Sequence, residues 1–190
     1  MRRDGRRLNC LVFSTAAMLS IATAVEAQPR FEIDATADRG PISRDIYGAN
    51  LEYIARNTPA TAEFAAQFPV LRVPGGDSAQ RFLWNLASRG PCRARWDWAS
   101  YAALAEQHHN ALFLETNMVR GNPRNSAAWV ADARRRGIRV AAVAIGNEVW
   151  GTFEDGYRTA DRYARELRAH AKAIRHVDAS VPIAASFGTF

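Results

Sequence analysis

The sequence predicts an α/β fold: a parallel sheet of about five strands, laid out as the N-terminal part of a (β/α)8 barrel. Three observations predict it. Short apolar runs alternate with segments of helical periodicity, so helices join the strands by right-handed crossovers. Polar residues gather directly after the runs, at Glu52, Asp77, Asn117 and Asn147-Glu148. The composition, 48% hydrophobic and 23% charged over 190 residues, supports a sizeable core. A doubly wound open sheet also fits the βα order. Its ligand groups collect at one switch point, however, whereas four successive strand ends resemble a barrel mouth.

Residues 1–27 read as a secretory signal. Arg2, Arg3, Arg6 and Arg7 form a basic start, Leu8 to Val25 an apolar stretch, and Val25-Glu26-Ala27 a cleavage site before Gln28. The stretch is short for a membrane span and is interrupted by Ser14, Thr15, Ser20 and Thr23. Cleavage is therefore expected, giving a periplasmic or secreted protein with no membrane partner. Cys10 precedes the apolar core, which argues against a lipoprotein site, and cleavage leaves Cys92 without an intrachain disulfide partner. Formal net charge is +6, of which residues 1–27 hold +2. Arg134-Arg135-Arg136 is the one later run, and at a helix C-terminus it suits the dipole. No basic stripe with interleaved aromatics is present, so nucleic acid is not an expected partner.

Phe31 to Ala37 (FEIDATA) alternates apolar and polar and predicts a strand with one wet face. Gly40-Pro41 is a turn that separates this 28–40 segment from a domain over 41–190. A short element at Ile46-Tyr47-Gly48 leads to Asn50 and Glu52. Thr58-Pro59 starts a helix carrying Phe64 and Phe68, and Pro69 ends it. Val70 to Val73 (VLRV) is a buried strand that enters Pro74-Gly75-Gly76-Asp77, where paired glycines let the backbone bend and approach a ligand. Trp84, Trp96 and Trp98 follow in a loop-rich stretch. Asp97 caps a helix whose apolar face is Tyr101, Leu104 and Ala105.

Ala111 to Leu114 (ALFL) is the third strand and runs into Glu115-Thr116-Asn117. Asn125 or Ser126 caps a helix with Trp129, Val130 and Ala133, and Gly137 ends it. Val140 to Ile145 is a continuous apolar run, as in a strand buried on both faces, and Gly146 passes it to Asn147-Glu148. Residues 159–177 are the clearest helix, with Ala160, Tyr163, Ala164, Leu167, Ala171, Ile174 and Val177 on one stripe. His170 and His176 ride on this charged helix and are expected to be solvated. Val181 to Ala185 is the last strand.

The chemistry is bounded by what is missing. There is no dinucleotide fingerprint, phosphate loop or nucleophile elbow, and the histidines lack metal-ligand spacing. Neither a cofactor nor a metal is expected. Carboxylates at strand ends with aromatics nearby suit sugar chemistry. Aromatic faces pack on sugar CH surfaces, amides and carboxylates bond hydroxyls, and two carboxyls act across the glycosidic bond.

Residues 145–151, IGNEVWG, resemble the acid/base motif of clan A glycoside hydrolases. Residues 42–52, ISRDIYGANLE, and 70–85, VLRVPGGDSAQRFLWN, resemble the first- and second-strand motifs of family 51, the α-L-arabinofuranosidases. Trp129, Glu148, Trp150-Gly151 and Tyr163 keep that family's order, and the likeness covers residues 31–190. The resemblance implies a retaining hydrolase of α-L-arabinofuranosyl side chains on plant polysaccharide. An endo-β-glucanase or β-xylosidase shares the Asn-Glu logic, and a non-catalytic carbohydrate-binding remnant is the alternative from another class.

The resemblance also implies roles. Glu148 is the general acid/base, Asn147 bonds the sugar 2-hydroxyl, and Glu52 lines the pocket. Asp77 stands where the family often has Cys or Asp, and Gly75 and Gly76 shape the backbone beside it. Arg72 orients carboxylates from below, Asn117 and Trp84 are further contacts, and Glu154 and Asp155 are loop-surface charges. The family's nucleophile is a second Glu at the seventh strand. The resemblance therefore places it beyond Phe190 and makes residues 1–190 the N-terminal part of a longer enzyme. That part is expected to be inactive alone, with FEIDATA as one strand of a missing β-sandwich.

Overall fold

The computed structural model describes residues 34, 36, 40–52, 58–86 and 96–188. The expected signal, Cys92 and most of the FEIDATA strand lie outside the described residues. The chain divides into two compact units, Met1–Gly40 and Pro41–Phe190. In the first, the Thr36 N–H and hydroxyl both donate to the Asp34 carboxylate, at 2.9 and 2.7 Å, which closes a local turn.

The second unit is built on five parallel strands: β1 (Gly48–Asn50), β2 (Val70–Val73), β3 (Ala111–Thr116), β4 (Val140–Ile145) and β5 (Ile183–Ala185). They lie side by side in chain order. A doubly wound sheet reverses its strand order at the switch point, and this one does not, so the architecture is the barrel and not the open sheet. Among the described residues the sheet has five strands, which leaves the barrel incomplete.

Helices α1 (Pro59–Ala66), α2 (Trp98–His108), α3 (Pro123–Arg135) and α4 (Ala160–Val177) fill the crossovers. Side chains alternate along each strand. In β2 and β3, Leu71, Val73, Leu112 and Leu114 are fully buried in the hydrophobic core that includes the helices' apolar residues. Arg72 and Glu115 lie on the opposite face. Between α2 and α3 the core is aromatic: Trp96 stacks on Tyr101 at 5.3 Å, and Phe82 and Trp98 each meet Trp129 at 5.6 Å. Tyr163 of α4 ties the last two strands together. Its hydroxyl donates to the Ile145 carbonyl at 2.8 Å and accepts from the Ser186 N–H at 2.7 Å.

Several local expectations are corrected. The first strand is Gly48–Asn50, not Ile46–Gly48; Arg44–Ile46 is a 3-10 turn with Ile46 and Tyr47 exposed. Ser43 caps that turn, and Asp45 is held by both terminal nitrogens of Arg139, so polar anchors override the short apolar run. Helix α1 stops at Ala66, before Phe68, and leaves Phe64 exposed against the Phe68 ring edge. The cap of α3 is Asn122, three residues before the expected one, with Pro123 at the first helical position. β5 starts at Ile183, after Pro182.

His170 is the clearest miss: it is buried, with Nδ1 3.0 Å from the Ser126 hydroxyl of α3. Burial holds its pKa below the usual histidine value. The signal was its spacing, since 163, 167, 170 and 174 form one stripe on α4. His176 is exposed, as expected. The arginine run at the end of α3 is spent on ion pairs: Arg134 with Asp178, Arg135 with Asp132, and Arg136 with Asp132 and Glu106.

Candidate functional site

The carboxyl ends of the strands converge on one polar group. Arg72 comes from β2 and Glu115 from β3, and the two form an ion pair. The same Arg72 Nη2 donates to Asn147 Oδ1 at 3.0 Å, and Asn147 Nδ2 donates to Asp77 Oδ1 at 3.1 Å. Gln80 donates to the Asn147 main-chain carbonyl at 2.9 Å, which pins the turn after β4. Glu148, Asp77 and Glu154 then bring carboxylate oxygens within 4.8 Å of one another.

Two glycines make the close approach possible. Gly75 and Gly76 have φ of 64° and 62°. A Cβ on Gly75 would fall inside the Asn50 amide, and one on Gly76 would sit 3.1 Å from Glu52 Oε1. The chain can pass under Asn50 and Glu52 only without side chains there. Glu52 accepts from Asn50 Nδ2 and from the Ser78 hydroxyl, each at 3.3 Å. It is not the partner of Arg72, a role that Glu115 takes.

Glu148 is exposed and has φ of 40°, the left-handed region that costs a residue with a side chain roughly 1–2 kcal/mol. Strain at the one residue pointed at by the sequence motif has a testable consequence. Alanine normally stabilises a chain over glycine. At 148 the order should invert, with Glu148→Gly more stable than Glu148→Ala by about 1 kcal/mol in urea unfolding. The usual order would show that the turn relaxes without cost.

The predicted residues Glu52, Gly76, Asp77, Asn147 and Glu148 are thus brought together, and two others are not. Asn117 is buried and wholly engaged by backbone: its Nδ2 donates to the Gln80 and Phe82 carbonyls, and its Oδ1 accepts from the Val119 and Arg120 N–H groups. It locks loops instead of facing a ligand. Trp84 donates to the Asn125 carbonyl at 3.1 Å and meets the Trp98 edge, in a groove between α2 and α3.

Three further residues join the site: Glu154, Gln80 and Glu115. Glu154, expected as a loop-surface charge, is half-buried beside Asp77 and Glu148. Desolvation, then the Asp77 charge, holds its pKa above the usual carboxylate range. Gln80 carried no signal. Glu115 did: it is 1% exposed, and an Arg inside VLRV with a Glu inside ALFLET is an opposite-charge pair on adjacent strands. Burial pushes its pKa up to about 7, against the pull of Arg72 and a nearby Gly76 N–H and with help from Glu52. Among the described residues, the one cluster of three groups able to hold a metal is Asp77, Glu148 and Glu154.

No family model matches the chain. A curated relative, α-L-arabinofuranosidase C of Emericella nidulans, is 28% identical over 145 residues, which is 60% of this chain and 29% of the relative. An α-L-arabinofuranosidase from Thermotoga maritima, solved in complex with arabinose, shares the fold with a TM-score of 0.58 at 20% identity. The family 51 enzyme from Thermotoga petrophila does so at 0.55 and 20%. In fold, this chain is similar to a family 51 enzyme. The chain spans less than a third of the curated relative's length. The two structural matches cover 73% of this chain and 39% of each solved chain. The relatives are arabinofuranosidases, and what this chain shares with the solved ones is the fold.

Proposed function

We propose that the chain forms the acid/base side of an exported, retaining glycoside hydrolase. Its substrate is the terminal α-L-arabinofuranosyl residue of plant polysaccharides or oligosaccharides. The observation that carries this reading is Glu148, exposed at the carboxyl end of β4 beside an Asn147 amide that is already oriented. The curated arabinofuranosidase relative supports the sugar. Export rests on the pattern of residues 1–27.

In this reading Glu148 donates its proton to the leaving oxygen and, once ionised, takes a proton from the water that releases the sugar. Asn147 Nδ2 and Glu52 bond ring hydroxyls, and the Asn147 bond tightens as charge develops at the anomeric carbon. The nucleophile is a carboxylate outside residues 1–190. Asp77 and Glu154 crowd Glu148 instead of facing it across a gap of about 5–5.5 Å that admits a sugar ring.

The test pairs two samples with an aryl α-L-arabinofuranoside: residues 28–190 alone, and the same residues joined to a downstream half supplying the nucleophile. The joined protein should hydrolyse it, and residues 28–190 should bind L-arabinose without turnover. Hydrolysis by residues 28–190 alone would reject the outside nucleophile. Preference of the joined protein for β-glucan or β-xyloside substrates would reject the sugar.

A further inference from the structure

Glu115 has no part in the chemistry above, yet it is the most deeply buried carboxylate of the second unit's described residues. It lies on the face of β3 opposite Leu112 and Leu114 with Oε1 on Arg72, and its Oε2 has no hydrogen-bond partner. Such a group is costly to bury, so its position calls for a physical account. We propose that Glu115 is a positioning residue that acts through Arg72 to choose which end of the Asn147 amide faces the sugar. This rests on the reading of Asn147 as a sugar contact.

A side-chain amide can present either its oxygen or its NH2 group, and its neighbours decide which. Arg72 is a pure donor, so it takes the oxygen. The NH2 group is then left for Asp77 and for a hydroxyl, and both partners agree on that orientation. Gln80 cannot make the choice, because it bonds the main-chain carbonyl. Arg72 is itself about one-third exposed on a long, flexible stem. The partner that fixes its head under Asn147 is Glu115.

The groups facing Glu115 are Arg72 from β2, Glu52 after β1 and the Gly76 N–H after β2. A neutral Glu115 grips Arg72 less firmly than an ionised one, since charge-assisted bonds are the stronger kind. With its carboxyl pushed up to about 7, the hold on the amide is set around neutral pH.

The experiment follows the Asn147 side-chain amide by nuclear magnetic resonance in the full chain while pH is varied, with and without L-arabinose. In the wild type the Asn147 NH2 signals should move through a step near neutrality. In Glu115→Gln that step should vanish and arabinose affinity above pH 7 should fall on the order of tenfold. An unchanged step in a folded Glu115→Gln would overturn the proposal. Should that variant fail to fold, Arg72→Lys serves: it keeps the charge but loses the bridging head, and a surviving step would overturn the proposal equally. Absence of arabinose binding by the wild type would reject the functional reading, while the amide titration would still decide the positioning role.

Discussion

Glu148→Ala is expected to lower the hydrolysis of arabinofuranosides with poor leaving groups by about 10²–10⁴-fold in a protein carrying this chain with its nucleophile. The reason is specific to an acid. An alkoxide-like leaving group needs the proton that Glu148 donates, whereas a nitrophenolate departs with little help. The loss on an activated aryl glycoside should therefore be much smaller for the first step. The variant would stall at release of the sugar, because the base positioned to activate water is gone. Added azide needs no such base and should restore part of the turnover by capturing the glycosyl group. Steady-state rates across a leaving-group series check this, and a uniform loss across the series, with no azide effect, would remove Glu148 from the role. The neighbouring carboxylates sharpen the point. Asp77 and Glu154 lie within 4.8 Å of Glu148, so a proton carrier remains nearby, but neither occupies the strained turn at 148 that carries the acid.

Arg72→Met should destabilise the chain by about 2–3 kcal/mol at pH 8 and by 1 or less, roughly, at pH 5. Removing the arginine strands Glu115, whose carboxylate is 1% exposed, without its counter-charge. The upper end for a buried pair is not reached, because Arg72 is one-third exposed and water already screens it. The pH dependence follows from the direction of the Glu115 shift. Its folded value, about 7, lies above the ordinary 4.5. The folded state therefore holds the proton more tightly, and stability is highest when the group is protonated. It is lost as pH rises through about 7, by roughly 3 kcal/mol over the whole window. Without Arg72 the folded value climbs further and the penalty at pH 8 grows, while at pH 5 the carboxyl is neutral and feels little. Adding Glu115→Met should restore most of the loss at pH 8, because two apolar side chains replace a desolvated pair. Urea unfolding at the two pH values measures all three proteins. An equal loss at both, or no recovery in the double variant, would show that Glu115 is not charged in the fold.

Much of the site was legible because it sits where strands end. Asn147-Glu148 after VAAVAI and Asp77 after VLRV could be placed from period and punctuation alone, since a buried parallel strand must hand its chain to a loop at one edge. The misses share another cause. Asn117 and Trp84 have the right residue types at plausible positions, and Asn117 lies at a strand end, but their side-chain N–H groups donate to main-chain carbonyls far off in sequence. Glu154 looked like a loop charge because nothing nearby in sequence reveals that its loop folds back over Asp77. His170 has charged neighbours in sequence, but its place on the stripe facing α3 buries it.

The sequence by itself determined the barrel-type order of strands and helices, the carboxylate at 148, and the glycine pair that lets the chain pass beneath Glu52. Those depend on periodicity and on backbone freedom, which are local properties. Only the tertiary structure decided that Arg72 belongs to Glu115 rather than Glu52, that Asn147 shows its NH2 group to Asp77, and that three carboxyls crowd one corner. Such partnerships depend on register between adjacent strands and on loops meeting across the mouth. The hydrogen-bonded partners there lie 26 to 75 positions apart along the chain.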